Sequence, residues 1–312
     1  MPTRDRTGLD TETLLLLRAA RRTGVIDALT ESAGTAAAVA AATDLEEATA
    51  RVVVRTLADL GFLERVGDEY EITNRALGFL AKRDLRSIGR LPHALDDLEY
   101  LAALPETMAT GDPPAVDGDA LRNRLGAHAA TDDAVVRACV TAAVHARPDA
   151  DAVADVAGRS GVYAREFARR GYDVTLVEEP DVLDAVEPSL AHEDVALAAG
   201  TPSGLPAAVD GVDLAFAADL THRLTAEENR AFVAAVGDAL SPAGVLVLTD
   251  AIRGRSTAAP RVAATELARG RGDAHDEASY RAWLADAGFE SVRVREVPGT
   301  DLQAVVGRRG DA

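Results

Sequence analysis

Lysine, cysteine and aromatic residues are scarce in this 312-residue chain, and each shortage excludes something. Lys82 is the only lysine, so arginine carries nearly all of the positive charge. The single cysteine, Cys139, cannot form a disulfide within the chain, which predicts a reducing compartment such as the cytoplasm. Aromatic residues make up 4% of the chain, so alanine and valine must supply much of the apolar core.

Long apolar runs are also missing. No run of about 18 apolar residues exists, and the polar start of the chain has no apolar signal segment, so we expect neither a membrane span nor a secretion signal. The net charge of −18 repels phosphate backbones and therefore disfavours nucleic-acid binding. The acid excess favours a halophilic protein, although a high-GC genome also enriches arginine, alanine and aspartate over lysine.

The first quarter of the chain predicts three helices and a hairpin. Helices are expected over residues 11–22, 35–42 and 45–60, with Thr35 as an N-cap, and Gly67-Asp68 separates two short strands. The third helix should bury its apolar stripe, which consists of Leu45, Ala48, Val52, Leu57 and Leu60. This order of elements is typical of a winged helix-turn-helix.

A DNA-binding role for this domain is disfavoured by its third helix. A recognition helix places basic or amide residues in its first turns, but Glu46 and Glu47 stand there. We therefore interpret residues 1–90 as a dimerisation or substrate-covering domain. Helices at 75–81, 91–108 and 132–146 are predicted to follow, and Pro148 marks the boundary to an alternating α/β region.

Residues 152–188 form the most informative segment. The apolar run Ala152–Val156 ends in a glycine-containing turn at 157–161, an amphipathic helix follows, and the strand after it ends at Glu178. Such a turn can approach a nucleotide-like ligand, and such an acid can bind the two ribose hydroxyls. The turn is not G-x-G-x-x-G, which disfavours a nicotinamide dinucleotide. A βαβ unit with a plain tight turn would show the same order of elements.

Further strands and helices alternate towards the C-terminus, where two strands are predicted to form a final hairpin. Here the chain resembles the class I S-adenosylmethionine-dependent methyltransferases. More specifically, it is similar to the small-molecule O-methyltransferases with an N-terminal winged-helix dimerisation domain, the plant caffeate and bacterial polyketide type. The resemblance rests on the domain order, on residues 104–114 and on Tyr280 followed by Ala287-Gly288-Phe289.

The resemblance implies an α/β fold: a Rossmann-like class I methyltransferase sheet with a C-terminal antiparallel hairpin, preceded by a mainly α winged-helix domain. It divides the chain into a dimerisation domain (1–90), a helical linker contributing to the substrate pocket (91–147) and an S-adenosylmethionine-binding domain (148–312). The implied partners are a small-molecule acceptor and a second copy of the chain.

The family's first motif, D-V-G-G-G-x-G, corresponds to residues 155–161, where Ala157 and Arg159 replace two of its glycines. Thr201 stands where the family has the aspartate that holds the adenine amine. The resemblance implies that the cofactor S-adenosylmethionine is bound by Asp155, Ala157, Gly158, Gly161, Glu178, Glu179, Thr201, Ala218 and Asp219.

His222 matches the histidine of the family's L-H-D-W segment, which supplies the general base. A neutral imidazole can take the proton of a phenol or enol as its oxygen attacks the sulfonium methyl. A histidine at a helix start with no catalytic role is the alternative. The other five histidines are scattered and predict no metal site.

Two further functions stay open. The replacements at Arg159 and Thr201 are compatible with a catalytically degenerate relative that serves as a regulator or partner subunit. A winged-helix transcription factor with a sensor domain is disfavoured by the acidic third helix.

Overall fold

The computed structural model describes residues 9–31, 34–73, 85–116 and 119–310. The chain divides into two compact units, residues 1–99 and 100–312. The predicted domain boundaries at 90/91 and 147/148, and the roles given to those three segments, stay predictions. The helix expected at 75–81 lies outside the described residues.

The first unit consists of helices followed by an antiparallel hairpin. Its elements are α1 (Thr11–Arg22), α2 (Val25–Glu31), α3 (Ala36–Ala42), α4 (Glu47–Asp59), β1 (Leu63–Val66), β2 (Glu69–Ile72), α5 (Leu85–Ile88) and the start of α6 (Leu91–Ala102). The Thr35 hydroxyl accepts a hydrogen bond from the Ala38 amide at 3.1 Å, which confirms the predicted N-cap. The apolar stripes of the helices meet in one core around Leu17, Val39 and Leu57.

The buried stripe of α4 differs from the prediction. Ala50, Val54 and Leu57 are buried at the i, i+4, i+7 spacing, whereas Ala48 is exposed and Val52 is 64% exposed. The helix begins at Glu47, and its packing against the rest of the first unit selects this stripe. Several apolar stripes are available on a helix rich in alanine and valine, so sequence periodicity alone chose the wrong one.

The second unit is an α/β domain with a helical lead-in. Its elements are α7 (Leu104–Thr110), α8 (Ala120–Ala129), α9 (Asp133–Ala146), β3 (Ala152–Val156), α10 (Val162–Arg169), β4 (Asp173–Glu178), α11 (Pro180–Leu190), β5 (Ala196–Ala199), β6 (Val212–Ala218), α12 (Ala226–Ala239), β7 (Leu240–Asp250), α13 (Ala259–Ala268), α14 (Glu277–Asp286), β8 (Phe289–Glu296) and β9 (Gln303–Arg309). The single helix predicted at 91–108 is two helices, because Pro105 occupies the first turn of α7, where proline is tolerated.

The seven strands of the second unit have the order β5-β4-β3-β6-β7-β9-β8. Strands β3 to β7 are parallel, and β9 runs antiparallel to both β7 and β8. The predicted parallel sheet and C-terminal hairpin are thereby confirmed. Strand β6 is buried almost throughout, as parallel strands covered on both faces are.

The sheet has a topological switch point between β3 and β6. The chain moves outwards from β3 to β5 and then returns to pair β6 with β3. In open α/β sheets the crevice beyond the carboxyl ends of the strands at such a point is where ligands bind. None of the helices in the described ranges is long and apolar enough to cross a membrane.

Candidate active site

The carboxyl ends of β3, β4, β6 and β7 bring most of the predicted site residues to the switch point. The turn at 157–161 follows β3, Glu178 ends β4, and His222 lies in the 3₁₀ turn Thr221–Arg223 after β6. Asp250 ends β7 beside it. Thr201 follows the outer strand β5, where it is exposed and exchanges backbone hydrogen bonds with Gly204.

The turn after β3 leaves no room for a side chain at its centre. A Cβ atom on Gly158 would lie 2.3 Å from the Asp155 Oδ2 atom and 2.6 Å from the Leu176 Cδ1 atom. Ala157 and Arg159, which stand where the resembling family has glycines, have φ angles of 55° and 50°. This left-handed conformation costs an L-residue about 1–2 kcal/mol, so the backbone has kept a glycine conformation without the glycines.

Asp155 lies behind the turn and is fully buried. Its Oδ2 atom accepts a hydrogen bond from the Ala164 amide at 3.0 Å. Burial, together with the charge of Glu178, raises the pKa of the Asp155 carboxyl to about 7. The Asp155 side chain therefore positions the turn and the start of α10 from inside the protein.

Glu178 connects the end of β4 to the turn. Its Oε1 atom accepts from the Arg159 amide at 2.8 Å, and its Oε2 atom accepts from the Glu179 amide at 3.2 Å. Glu178 is 8% exposed, whereas Glu179 is exposed at the start of α11. The carboxylate is thus held by two backbone donors, and its remaining lone pairs are available to a ligand hydroxyl.

The Arg159 side chain spans from the turn to the end of β6. Its Nη2 atom donates to the Ala218 carbonyl oxygen at 3.4 Å and to the Asp219 carbonyl oxygen. Ala218 is buried, and Asp219 has a φ of 50°. The guanidinium group therefore covers two carbonyl groups at the switch point that glycine in its place would leave open.

His222 and Asp250 form a hydrogen-bonded pair. The His222 Nδ1 atom lies 2.7 Å from the Asp250 Oδ1 atom. Burial alone would raise the pKa of the Asp250 carboxyl, but the His222 imidazole and hydrogen bonds from His222, Thr221 and Ala251 lower it below its usual value. An ionised carboxylate only accepts hydrogen bonds, so the Nδ1 atom carries the hydrogen and donates it.

This pairing fixes the tautomer of the His222 ring. In a neutral imidazole with hydrogen on Nδ1, the Nε2 atom has a free lone pair and can take a proton. The Asp250 carboxylate is itself held by the Thr221 hydroxyl at 2.5 Å, and the Tyr280 hydroxyl lies 2.5 Å from the Thr221 oxygen. The His222 side chain is 13% exposed, which gives a small ligand access to it.

Asp219 brings a second carboxylate to this place. One ligand atom each from Asp219, His222 and Asp250 lies within 4.8 Å of the others, a separation at which they could hold a metal ion. In this structure the His222 Nδ1 atom is committed to Asp250. The expectation of no metal at the site stays a prediction.

Sequence reasoning missed the contribution of α8. This helix supplies His128, whose Nδ1 atom lies 2.7 Å from the Ser160 hydroxyl in the turn, and it also supplies Arg124. Burial, with the charges of Arg159 and Arg223, lowers the pKa of His128 well below its usual value. The sequence of α8 has no clean apolar stripe, so periodicity gave no signal for it.

Known proteins resemble this chain in sequence over part of its length and in fold over nearly all of it. No protein-family model matches the chain. Acetylserotonin O-methyltransferase of Mus musculus is 32% identical over 176 residues, which is 51% of this chain and 44% of the mouse protein. The chain thus spans less than half the length of that curated relative.

Solved structures match over nearly the whole length of both chains. Human N-acetylserotonin methyltransferase, solved in complex with SAM, is 19% identical with a TM-score of 0.66, covering 96% of this chain and 94% of that one. PigF, solved with SAH, is 16% identical with a TM-score of 0.72 and 96% coverage of both chains.

The chain has a methyltransferase fold.

Within this methyltransferase fold, the predicted α/β architecture is confirmed over the whole sheet. The individual roles of the predicted site residues stay predictions. The structure places Gly158, Glu178, Ala218, Asp219 and His222 at the carboxyl edge of the sheet, and it adds Asp250 as the partner of His222.

Proposed function

We propose that the protein is an S-adenosylmethionine-dependent O-methyltransferase that acts on a small hydroxylated molecule. The observation that carries this proposal is the His222–Asp250 pair, 2.7 Å apart, at the same sheet edge as the turn around Gly158. The candidate base, His222, therefore lies at the edge where open α/β sheets bind their ligands. The mouse relative, by its name, is an O-methyltransferase.

The residues present fit the adenosine half of the cofactor. Gly158 lets the backbone of the turn lie against Asp155 and Leu176, and the Glu178 carboxylate is oriented by two amides to accept from ribose hydroxyls. By the resemblance, the glycine that Arg159 replaces lets the backbone approach the methionine half, and here the Arg159 guanidinium is bonded to the Ala218 and Asp219 carbonyl oxygens. When bound, S-adenosylmethionine supplies an electrophilic methyl group on a sulfonium sulfur.

The chain's own residues then deprotonate and orient the acceptor. The Asp250 carboxylate holds the Nδ1–H of His222, so the Nε2 atom takes the proton of the acceptor hydroxyl. The imidazolium that forms is stabilised by the adjacent carboxylate. Holding the acceptor oxygen close to the methyl group lowers the entropic part of the barrier, and no covalent enzyme intermediate is required.

The test combines binding with turnover. SAH, the demethylated cofactor, should bind to the wild-type protein and, with nearly the same affinity, to His222→Ala, as measured by calorimetry. Methyl transfer to an accepted hydroxylated compound should fall about 10²–10⁴-fold in His222→Ala, because the positioned base is lost. His192→Ala is the matched control, since His192 is exposed after the end of α11 and is not one of the predicted site residues. Full turnover in His222→Ala would remove His222 from the mechanism.

A catalytically degenerate protein is the second candidate, and the position of Arg159 favours it. A guanidinium bonded to the Ala218 and Asp219 carbonyl oxygens stands where the resemblance implies a glycine that lets the backbone approach the methionine half of the cofactor. This alternative predicts no SAH binding at millimolar concentration. The same calorimetric titration therefore separates the enzyme from a regulator or partner subunit.

For the first unit we propose a winged-helix dimerisation role, which makes the protein a homodimer. Leu15 and Val52 are 45% and 64% exposed on the first unit. Arg51 of α4 pairs with Glu47 at 2.5 Å, which reduces the positive charge available to DNA and supports a function without nucleic acid. Light scattering should give about twice the 32.6 kDa mass of the chain, and a mass of one chain would contradict the dimer.

The acid excess and the single free thiol support a cytoplasmic, halophilic protein. Cys139 is buried, and burial raises the pKa of its thiol to about 12, so it is inert towards oxidation. The net charge of −18 favours stability at high salt, where repulsion between surface carboxylates is screened.

A further inference from the structure

The turn that carries His222 is bonded to residues that are distant from it in the sequence. The Asp273 amide donates to the His222 carbonyl oxygen at 2.9 Å, and the Arg271 Nε atom donates to the Arg223 carbonyl oxygen at 3.3 Å. Both donors belong to residues 271–275, which lie between α13 and α14. We call these residues the 271–275 segment.

His275 and Asn229 hold the two ends of the same turn. The His275 Nε2 atom lies 3.1 Å from the carbonyl oxygens of Thr221 and Leu224. The Asn229 Nδ2 atom, on α12, donates to the same two oxygens at 2.9 Å and 3.2 Å. A carbonyl oxygen only accepts and has two lone pairs, so the His275 Nε2 atom carries a hydrogen and both donors fit. All four carbonyl groups of residues 221–224 thus accept hydrogen bonds from the 271–275 segment or from Asn229.

Asn229 is retained at a cost to stability. It is fully buried, and its Oδ1 atom has no hydrogen-bond partner within the described residues. Burial of an amide oxygen without a partner is unfavourable. The hydrogen bonds that the Nδ2 atom donates to the turn offset part of this cost.

Gly272 lets the 271–275 segment reach the turn. A Cβ atom on this residue would lie 2.2 Å from the His222 carbonyl oxygen, and the φ of Gly272 is 84°, in the left-handed region. The carbonyl oxygen belongs to the backbone, so it cannot rotate away as the end of a side chain could. Glycine is therefore needed where the segment touches the residue that carries the candidate base.

The position of the turn fixes both members of the His222–Asp250 pair. The His222 Nδ1 atom lies 2.7 Å from the Asp250 Oδ1 atom, and the His222 amide donates to the Oδ2 atom at 3.2 Å. The Thr221 hydroxyl donates to the same Oδ2 atom at 2.5 Å. Hydrogen bonds are lost when such distances grow by about 1 Å. A small shift of the turn backbone would therefore break three contacts to one carboxylate.

We propose that the 271–275 segment is a positioning element for the general base, in which Gly272 and His275 fix the turn so that His222 stays bonded to Asp250. This inference rests on the proposed methyl-transfer function. Gly272 and His275 act through His222 and are positioning residues. Misplacement of a reacting group by about 1 Å can slow a reaction about 10²-fold, so the backbone contact to this turn bears on turnover.

The first test compares two glycines that share a left-handed conformation. Gly254 has a φ of 82°, but a Cβ atom there would meet no atom of the described residues within 4 Å beyond its chain neighbours. Gly272→Ala should therefore displace the turn, whereas Gly254→Ala adds only backbone strain. NMR of the full-length protein with isotope-labelled histidine follows the His222 Nδ1–H proton, which is assigned by its loss in His222→Ala. Its exchange with solvent should be at least about tenfold faster in Gly272→Ala and unchanged in Gly254→Ala.

The second test removes a hydrogen-bond donor and keeps the packing. The His275 ring lies edge-on to the Trp283 ring, with 4.8 Å between the centroids. His275→Phe keeps a ring there and loses the Nε2 donor, so exchange of the His222 Nδ1–H proton should become faster. His275→Gln supplies an N–H donor again and should restore part of the protection. A merely structural role predicts a lower Tm in His275→Phe with no change in this exchange.

Turnover gives an independent readout. In the assay used for His222→Ala, kcat should fall at least about tenfold in Gly272→Ala, and the KM for S-adenosylmethionine should change less than about twofold. If no hydroxylated compound is methylated by the wild type, the methyl-transfer proposal fails by itself. The NMR comparison requires no ligand and still decides whether the 271–275 segment positions His222.

Three outcomes would overturn the inference. The first is a wild-type protein without a protected His222 Nδ1–H proton, which would contradict the pair with Asp250. The second is equal exchange of this proton in Gly272→Ala and Gly254→Ala. The third is wild-type exchange in His275→Phe, and this variant decides the question if Gly272→Ala does not fold.

Discussion

At the scale of single residues, Asp250 decides what the His222 ring can do. The two residues are 28 positions apart, yet the carboxylate lies 2.7 Å from the Nδ1 atom. It keeps the hydrogen on that atom and leaves the Nε2 lone pair free. The Thr221 hydroxyl and the Ala251 amide hold the carboxylate in turn, so the imidazole is oriented by a chain of hydrogen bonds.

Asp250→Asn should therefore impair turnover without affecting the cofactor site. The amide can donate to the Nδ1 atom, which would favour the wrong tautomer with hydrogen on Nε2. Turnover is expected to fall about 10²–10⁴-fold, as for loss of the base itself, with SAH affinity unchanged by calorimetry. The double variant with His222→Ala should be no slower than His222→Ala alone. If the losses of turnover in the two single variants instead multiply in the double variant, the two residues act separately.

Asp155 has a different effect, because its pKa is raised rather than lowered. A folded-state value of about 7 against 3.8 for an unperturbed aspartate means that the folded protein binds this proton more tightly. The stabilisation is fully present below the unfolded pKa and is lost as pH rises through the folded pKa. The pH range over which this stabilisation is lost therefore runs from about pH 4 to about pH 7.

Asp155→Asn should remove this part of the pH dependence. The free energy of unfolding of the wild type, measured in urea and compared with the variant at each pH, should decline from pH 4 to pH 7 and then stay level. The amide oxygen introduced by the substitution can still accept from the Ala164 amide, so we expect the turn to be retained. A difference between the two proteins that does not change with pH would contradict the assignment.

At the scale of elements, the turn after β3 acts with the two strands beside it. Its Ala157 amide donates to the Val177 carbonyl oxygen, its Gly158 packs on Asp155, and the Arg159 amide donates to Glu178. Substitution at the centre of the turn therefore disturbs the ends of β3 and β4 together, including the carboxylate proposed to bind ribose.

Gly158→Ala tests this coupling. The added methyl group would lie 2.3 Å from the Asp155 Oδ2 atom, so we expect a loss of about 1–3 kcal/mol in unfolding free energy and loss of SAH binding. Gly237→Ala is the matched control, since its Cβ atom in α12 would meet Phe289 at an ordinary 3.4 Å. That helical change should be neutral or stabilising by up to about 1 kcal/mol. Equal stability of the two variants would show that the turn can move.

At the scale of the whole molecule, acidic residues are in large excess. The chain has 51 acidic and 33 basic residues, which gives a net charge of −18 at neutral pH. Carboxylates in such excess repel one another, and this repulsion destabilises the compact state. The charge imbalance therefore bears directly on the stability of the fold.

Salt should consequently stabilise the protein. Raising KCl from about 0.1 M to about 1 M shortens the Debye length from about 10 Å to about 3 Å and screens the repulsion expected from a net charge of −18. The Tm should rise by about 2–4 °C for each kcal/mol of repulsion removed. Calorimetric scans at several KCl concentrations would show this rise, and a Tm that is constant or falls would contradict it.

The sequence by itself determined the order of elements and the chemistry of the turn. Apolar runs, caps such as Thr35 and the acid at Glu178 are local signals, so they predicted the strands, most helices and the position of the ligand-binding edge. A hydrogen bond from a backbone amide to a nearby capping side chain depends on residues close in the chain, and so does the alternation of strands with helices.

Only the tertiary structure decided which distant residues meet. The order of the strands pairs β6 with both β3 and β7, and this brings His222 to Asp250 and Arg159 to Ala218. Packing also chose the buried stripe of α4 and placed α8 against the turn. These outcomes depend on burial and charge interactions between residues that are far apart in the chain. A local sequence pattern therefore cannot predict them.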